Sequence, residues 1–171
     1  DAITFGSHVD WTIGTGDFTI DFWFRLKVKD KYQYIMTCGT NNVSGRWTVM
    51  ISPSNKIFFG INVVGDWNFI NYYGNDSAIL TIDTWYHIEI GRSENTLYMF
   101  TDGTLAEVIK KYNSSLVYIS DTNVIADFST GTDNFMFGAY SSTLYGVDGW
   151  LDELRLSKGI CRHTSSFIPY T

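Results

Sequence analysis

One carboxylate near the end of the chain stands inside a segment that otherwise has the pattern of a regular strand. The segment reads Gly149-Trp150-Leu151-Asp152-Glu153-Leu154-Arg155-Leu156-Ser157-Lys158-Gly159. Because residues two apart share a face of a strand, the pattern predicts that Asp152 points the same way as Trp150, Leu154 and Leu156. An ionised carboxylate at the edge of an apolar face is costly unless a cation or several N–H groups meet it. Asp152 is therefore predicted to have a partner that its own strand cannot supply.

A second candidate site is the run 65–76, in which aromatic side chains are interleaved with Asp and Asn. A sugar presents an apolar C–H face and a ring of hydroxyl groups, so it requires a stacking aromatic ring beside short carboxylate and amide side chains. The predicted stacking residues are Trp67, Tyr72 and Tyr73. The predicted hydroxyl-binding residues are Asp66, Asn68, Asn71 and Asn75. In the alternative interpretation Trp67, Phe69 and Tyr73 share one strand face and pack in the core.

The loop 140–148, which leads into the last predicted strand, is a further candidate for ligand binding. Its aromatic residues are Tyr140 and Tyr145. The alternative is an ordinary connecting loop, because loops vary and move more than the strands that they join.

Several other polar and aromatic residues are predicted to have structural roles. His87 is predicted to be a satisfied sheet histidine, with Glu89 on the same face raising its charged fraction. Trp23, Trp47 and Trp85 each lie within a predicted strand opposite apolar neighbours, which favours packing over binding.

The elements that must position these residues are strands. The segment Phe18–Val28 alternates apolar with mostly polar residues, which is the period of a half-buried strand. Turn residues separate it from the further predicted strands, which are Ala2–Phe5, Tyr32–Cys38, Arg46–Ser52, Lys56–Val63, Trp67–Tyr73, Trp85–Arg92, Thr96–Thr101, Leu116–Ile119, Asn134–Ala139 and Trp150–Ser157. Only Leu105–Tyr112 has mild helical character. Many evenly spaced strands predict an all-β domain of two packed antiparallel sheets.

Composition bounds the size and the partners of this domain. The 171 residues, 44% hydrophobic and 17% aromatic, predict a single domain over 1–171 with a sizeable core. The net charge is −6 with only 12 Lys and Arg, which argues against nucleic acid as a partner. The chain has no run of eighteen apolar residues, so we expect no membrane insertion.

The two cysteines, Cys38 and Cys161, follow neither a zinc-type nor a redox-type spacing. They could be joined in one disulfide if the domain is extracellular. The general tendency of free cysteine to be buried favours two separate thiols.

Three segments together resemble the concanavalin A-like jelly rolls of the laminin-G type, in the form common in bacteriophage and bacterial surface proteins. The segments are 14–23 (GTGDFTIDFW), 84–88 with 97–103 (TWYHI and LYMFTDG), and 151–156 with 162–169 (LDELRL and RHTSSFIP). The resemblance implies a jelly-roll β-sandwich whose rim and concave face bind glycans in many members. It covers nearly the whole chain, and residues 38–77 match in strand pattern only.

The same resemblance implies a partner for Asp152, because the corresponding carboxylate in related jelly rolls ligates a structural calcium ion near the start of the chain. Calcium takes six to eight oxygen ligands, many of them backbone carbonyls. The first segment, 3–7 (ITFGS), lacks the Asp that often follows the first-strand Phe in this family. The alternative is that Asp152 accepts hydrogen bonds from N–H groups of the turn Gly14–Asp17 without an ion.

The resembled family also includes glycoside hydrolases, which need two carboxylates flanking the bond that is cleaved. On a strand such a pair occupies alternate positions, as in Glu-x-Asp-x-Glu, and this pattern is absent from the sequence. Asp152 and Glu153 are adjacent, Asp17 and Asp21 are far apart along one strand, and Glu89 has only His87 beside it. We therefore expect no catalytic activity.

The sequence thus predicts a lectin-like module that binds rather than catalyses. The expected partner is a glycan or polysaccharide of a host or neighbouring cell surface, and the expected location is extracellular or virion-associated. The alternative is a structural module that contacts other subunits of a virion or adhesin and has no sugar site. A solvent-exposed cluster of at least two aromatic residues with Asx neighbours would favour the first, and a flat apolar patch would favour the second.

Overall fold

Strand β2, Phe18–Leu26, has the alternation that the sequence predicts and sets the two sides of its sheet. Phe18, Ile20, Phe22, Phe24 and Leu26 are completely buried. Each such side chain stabilises the fold by about 1.5–3 kcal/mol relative to an exposed position. The alternate residues of β2 lie on the opposite face, which we call the outer face.

The computed structural model describes residues 2–39, 45–64, 68–74, 79–112, 118–120, 134–139 and 145–170. For residues 63–64, 68–74, 109–112 and 118–120 it describes the backbone alone. Within these residues the chain forms thirteen strands and one 3-10 turn, at Val9–Trp11.

β2 belongs to a five-stranded antiparallel sheet with the order β13-β2-β7-β8-β9. Its other strands are β7 (Trp85–Ser93), β8 (Thr96–Thr101), β9 (Thr104–Leu105) and β13 (Gly149–Lys158).

An eight-stranded antiparallel sheet has the order β1-β12-β3-β4-β5-β6-β10-β11. Its strands are β1 (Ile3–Phe5), β3 (Gln33–Cys38), β4 (Trp47–Ile51), β5 (Ile57–Val64), β6 (Asn68–Gly74), β10 (Val108–Tyr112), β11 (Tyr118–Ser120) and β12 (Phe135–Phe137). One buried cluster joins the two sheets, for example through the rings of Phe18 and Phe59, whose centroids are 5.7 Å apart. The predicted all-β, antiparallel two-sheet sandwich of jelly-roll type is confirmed.

One segment of the fold differs from the prediction. The segment with helical character, Leu105–Tyr112, is a strand: Val108–Tyr112 forms β10, paired with β6 on one side and β11 on the other. Its backbone hydrogen bonds come from the sheet, which overrides a weak local preference.

Cys38 and Cys161 are both free thiols, so the interpretation that favoured two separate thiols is confirmed. Cys38 is 2% exposed in the core. No helix among the described residues has the length and the apolar character needed to cross a membrane.

Candidate functional site

The outer face of the five-stranded sheet carries two sets of side chains, one at each end of the strands. At the first end the register places Arg25 of β2 between Trp85 of β7 and Trp150 of β13. Cross-strand partners share a face, so these three side chains form one row, which we call the tryptophan platform.

Both indole rings of the tryptophan platform reach solvent. Trp85 is 40% exposed and Trp150 is 44% exposed. The Arg25 guanidinium lies 4.7 Å from the centroid of the Trp150 ring and donates a hydrogen bond of 3.2 Å to Asp83. Two strand spacings separate the tryptophans, so their Cα atoms are about 10 Å apart. The prediction that Trp85 is a packed structural residue is wrong, whereas Trp47 is buried as predicted.

At the other end of the strands two carboxylates face each other. Asp21 of β2 is the cross-strand partner of Glu89 of β7, and their side chains are 5% and 1% exposed. Like charges directly opposite each other in a sheet are destabilising, and burial adds the cost of desolvation. The interpretation that Glu89 has only His87 beside it is wrong, because the neighbour comes from the adjacent strand.

Each buried carboxylate has its own basic partner. Arg155 of β13 donates two hydrogen bonds to Asp21, from Nε at 3.0 Å and from Nη2 at 2.8 Å. The hydrogen bonds to Asp21 also raise the pKa of Arg155 above its usual value. Both carboxylate oxygens of Glu89 lie near His163 Nδ1, at 3.1 and 2.9 Å. Burial raises the pKa of Glu89, although the hydrogen bond and charge of His163 act in the opposite direction.

A β-bulge brings Arg155 to Asp21. Asp152 pairs with Trp23 and Arg155 pairs with Asp21, so β13 has one more residue than β2 between these two positions. Glu153 absorbs the extra residue with a left-handed φ of 50°. After the bulge the alternation of faces is inverted.

Because the faces are inverted after the bulge, the surroundings of Asp152 differ from the prediction. Trp150 and Asp152 lie on the outer face as predicted, but Leu154 and Leu156 turn inward and pack against the core. The exposed Asp152 accepts a 2.8 Å hydrogen bond from the N–H of Glu153, so the bulge in its own strand supplies the partner. This hydrogen bond comes from within the strand, and a partner of Asp152 outside the strand stays a prediction. Among the described residues no three His, Cys, Asp or Glu side chains are grouped as a metal site. Calcium at Asp152 stays a prediction.

Residues 160–170, which follow β13, cross the outer face over the buried carboxylates, and we call them the C-terminal strap. Thr19 of β2 donates a hydrogen bond to the Ile160 carbonyl and accepts one from the Arg162 N–H, each 2.9 Å long. The Phe167 N–H donates to the Gly103 carbonyl over 2.9 Å. These bonds dock the strap across three strands.

Aromatic packing and a partly buried thiol complete this docking. The His163 and Phe167 rings stack with their centroids 3.6 Å apart, and Phe167 meets the edge of Phe100 at 5.2 Å. The Cys161 thiol lies so close to Gly91 that a Cβ there would be 2.8 Å from the sulfur. Burial, with a smaller contribution from the nearby Glu89 carboxylate, raises the pKa of Cys161 to about 11.

An open cavity of about 490 Å³ lies between the outer face and the C-terminal strap. The residues that line it are Asp21, Trp23, His87, Glu89, Glu153, Arg155, Ile160, Arg162, His163, Phe167 and Tyr170. His87 is 8% exposed, and burial lowers its pKa. Its Nδ1 has no hydrogen-bond partner among the described residues. The prediction of a satisfied histidine whose charged fraction rises is therefore wrong.

The glycan-binding residues that the sequence predicted are not among those that line the cavity or form the tryptophan platform in the described part of the chain. Four of them fall outside the described residues, namely Asp66, Trp67, Asn75 and Tyr140. Four lie on the backbone of β6, where Asn71 pairs with Gly60, Tyr72 with Phe59 and Tyr73 with Phe58, and where Asn68 is the first residue. Tyr145 is 54% exposed in a left-handed conformation, with its ring centroid 5.9 Å from that of Tyr34.

Sequence reasoning missed the tryptophan platform and the cavity because both depend on register between strands. Trp85, Arg25 and Trp150 are separated by about 60 residues from one to the next. One signal was available in the resemblance, since its last motif contains Arg155, Arg162, His163 and Phe167.

The laminin-G family model described as the concanavalin A-like lectin/glucanases superfamily matches residues 1–161. No curated protein sequence matches the chain.

Solved structures with the same fold have low sequence identity to the chain. The CBM40 domain of Ruminococcus gnavus IT-sialidase, bound to α2,3-sialyllactose, is 12% identical with a TM-score of 0.57, and the match covers 92% of this chain and 88% of that one. Domain 4 of a GH43 extracellular arabinanase from Geobacillus stearothermophilus, in complex with arabinotriose, is 12% identical with a TM-score of 0.57, covering 92% and 66%. Domains LG4-5 of the mouse laminin α1 chain are 17% identical with a TM-score of 0.56, covering 93% and 42%. These likenesses concern the fold.

Proposed function

Because the chain belongs to the concanavalin A-like lectin/glucanases superfamily, we propose that it is a non-catalytic carbohydrate-binding module that uses the tryptophan platform. The observation that carries the proposal is the exposure of Trp85 and Trp150, 40% and 44%, on either side of Arg25. Tryptophan is usually well buried in a domain with a large core, so two half-exposed indoles in one row are informative.

The chemistry of the tryptophan platform suits a saccharide. The exposed indole faces can stack against the apolar C–H face of a sugar ring. Arg25 donates hydrogen bonds between them, and Asp83 and Asp152 supply acceptors at its two sides. Arg25 is already held by Asp83 and by the Trp150 ring, so little side-chain entropy is lost on binding.

Two structural relatives support a glycan ligand. The CBM40 domain and the arabinanase domain are bound to sialyllactose and arabinotriose, respectively. We extend this class of ligand to the present chain, as a glycan or polysaccharide of a cell surface. A surface protein of a phage or bacterium, extracellular or virion-associated, is the context in which such a module would serve adhesion.

The proposed module is non-catalytic because the carboxylates that face each other across the described strands, Asp21 and Glu89, are buried and paired. Asp21 and Glu89 are 5% and 1% exposed, and their oxygens are held by Arg155 and His163. A glycosidase needs its acid and its nucleophile in contact with the substrate, which these partners prevent.

A glycan array, read with the intact chain, tests the proposal. We expect at least one glycan class to bind, and Trp85→Ala and Trp150→Ala each to reduce the binding at least tenfold. Leu105→Ala is the matched control, because Leu105 is 39% exposed on β9, at the far edge of the same sheet. Absence of binding over a broad panel by a folded chain would contradict the proposal and favour a module for protein contacts.

A further inference from the structure

We propose that the cavity beneath the C-terminal strap is a second subsite, which binds the carboxylate of an acidic sugar such as a uronate or a sialate. The inference rests on the proposed function in taking the ligand to be a saccharide. It assigns this saccharide to a region separate from the tryptophan platform and names its chemical class.

The first support is the set of hydrogen-bond donors that the protein leaves unused at the cavity. Arg155 donates hydrogen bonds from Nε and Nη2 to Asp21, and its side chain is 51% exposed. Arg162 donates a hydrogen bond from Nη2 to Ser157, its Nε lies 4.0 Å from Asp21 Oδ2, and its side chain is 33% exposed. The hydrogen bonds and ion pairs that the two guanidinium groups make with the described residues all involve Nε or Nη2, which leaves Nη1 of each for a ligand. Guanidinium groups that keep a free N–H edge are suited to planar, two-oxygen anions such as carboxylates.

The second support is that the buried acids do not compete for these donors. Asp21 is occupied by Arg155 and lies 4.0 Å from Nε of Arg162, and both oxygens of Glu89 face His163, so neither acid is bonded to an Nη1 group. Glu153 is the remaining carboxylate of the lining, and it is exposed to water on the β-bulge, which screens its charge. The unused groups inside the cavity are therefore mainly donors, and a ligand rich in acceptors complements them.

The third support is an unpartnered polar atom in the cavity wall. His87 is 8% exposed, and its Nδ1 is buried without a hydrogen-bond partner in the described part of the chain. Buried polar atoms are nearly always hydrogen-bonded, so an exception in the wall of an open cavity indicates a place for a ligand. A neutral imidazole nitrogen can exchange a hydrogen bond with a sugar hydroxyl group.

Two aromatic residues give the cavity a surface for the apolar face of a sugar. Trp23 and Tyr170 both belong to the lining. Trp23 lies two residues from Arg25 on β2, so the cavity adjoins the tryptophan platform on the same face. A volume of about 490 Å³ is within the range of small-molecule sites.

The test is a titration of the ¹⁵N-labelled intact chain, followed by two-dimensional NMR. The acidic probes are the methyl glycosides of glucuronate, galacturonate and N-acetylneuraminate, and the neutral probes are methyl glucoside and methyl galactoside. We expect saturable shifts at Trp23, Arg155, Arg162 and Tyr170 with at least one acidic probe, and at least tenfold weaker binding of the neutral probes. Equal binding of both classes, or no acidic probe binding at millimolar concentration, would overturn the proposal.

Variants separate the cavity from general electrostatic attraction. Arg162→Gln is expected to weaken binding of the acidic probe at least fivefold. Lys29→Gln is the matched control, because it removes the same charge from an exposed position outside the cavity. The double variant Asp21→Asn with Arg155→Gln removes both partners of a buried pair, so its fold is expected to survive while binding is lost. Equal affinity in Arg162→Gln and Lys29→Gln would contradict the assignment.

The same titration distinguishes the two proposals. In the double variant Trp85→Ala with Trp150→Ala, glycan-array binding is expected to be lost while the shifts at Arg155 and Arg162 remain. If the array shows binding but no acidic probe shifts the cavity residues, the subsite is refuted and the tryptophan platform stands. If the acidic probes bind the cavity but the array signal survives in Trp85→Ala, the tryptophan platform is refuted as a glycan site and the subsite stands.

Discussion

The two ends of the outer face are built from the same strands and follow opposite rules. At the tryptophan platform, large apolar rings are left open to water. Under the C-terminal strap, two carboxylates are removed from water and covered by an 11-residue segment. The hydrogen bonds from Arg155 and His163 are needed for the stability of the covered end, because an unpaired buried charge is costly. The exposed rings of the tryptophan platform are not required to neutralise a buried charge. They are therefore the better guide to function.

We expect the largest loss of stability when the ion pair under the C-terminal strap is broken. Arg155→Ala leaves Asp21 buried without its bidentate partner, and we expect the free energy of unfolding to fall by about 3 kcal/mol. Urea denaturation measures this change. Replacing Asp21 by Asn in the same chain should restore most of the loss, since it removes the unpaired charge. If Arg155→Ala alone is as stable as the parent chain, the ion pair with Asp21 does not stabilise the covered end, and the contrast with the tryptophan platform fails.

A smaller loss is expected when the strap is displaced without any change of charge. A Cβ on Gly103 would overlap the Phe167 carbonyl oxygen, and Gly103 has φ +70°. Gly103→Ala should cost about 2 kcal/mol, from the overlap together with the backbone strain. It should also speed the alkylation of Cys161 at pH 8, which mass spectrometry can follow.

Gly14→Ala is the matched control for that substitution. Gly14 also has φ +70°, but nothing lies within 4 Å of a Cβ at this position. It carries the same backbone strain without the overlap, so Cys161 should keep its slow alkylation. If both variants expose Cys161 equally, docking of the strap does not depend on the contact at Phe167.

A pH-dependent effect should come from the wall of the cavity. Burial lowers the pKa of His87 from 6.5, so the unfolded chain takes up this proton at a higher pH than the folded chain. The stability that this residue contributes is present above pH 6.5 and is lost as the pH falls through the lowered pKa. His87→Gln should flatten the stability profile between pH 7 and pH 5, by at most about 1.4 kcal/mol per pH unit.

His8→Gln is the control for the pH profile, since His8 is an exposed histidine outside the cavity. Thermal denaturation over the same pH range provides the measurement. An identical slope in the parent chain and in His87→Gln would mean that His87 does not contribute to the acid sensitivity of the fold.

The smallest effect on stability is expected at the open end. Trp85→Ala and Trp150→Ala remove half-exposed rings, so each should change the free energy of unfolding by no more than about 1 kcal/mol. Differential scanning calorimetry checks this. A loss as large as that of Arg155→Ala would mean that these tryptophans hold the sheet together, and the contrast between the two ends would disappear.

The sequence predicts those parts of the molecule that depend on local pattern. The alternation of Phe18–Val28 predicted the start and the buried face of β2, because a strand has a period of two residues, and the strand ends two residues earlier, at Leu26. The same rule failed at Leu154 and Leu156, since the bulge at Glu153 shifts the period by one residue. β10 was missed because its stabilisation comes from neighbouring strands and not from its own residues.

The candidate sites were the least predictable part. Asp21 and Glu89 are 68 residues apart in sequence, and only the register of β2 with β7 makes them neighbours. Trp85 stands in a regular strand like the buried Trp47, and sequence alone does not distinguish the two. The predicted glycan-binding residues near β6 rest on residue type alone, and they stay a prediction, because composition identifies suitable chemistry and does not determine exposure.

The bulge at Glu153 has a consequence for how copies of this domain coexist at high density. β13 is an edge strand of ten residues, and an open edge of that length is a template on which a second chain could add a strand. The irregular backbone at Glu153, flanked by the exposed carboxylate of Asp152, interrupts the ladder in the middle of this edge. We therefore expect the distortion that aims Arg155 at Asp21 also to disfavour strand addition at this edge.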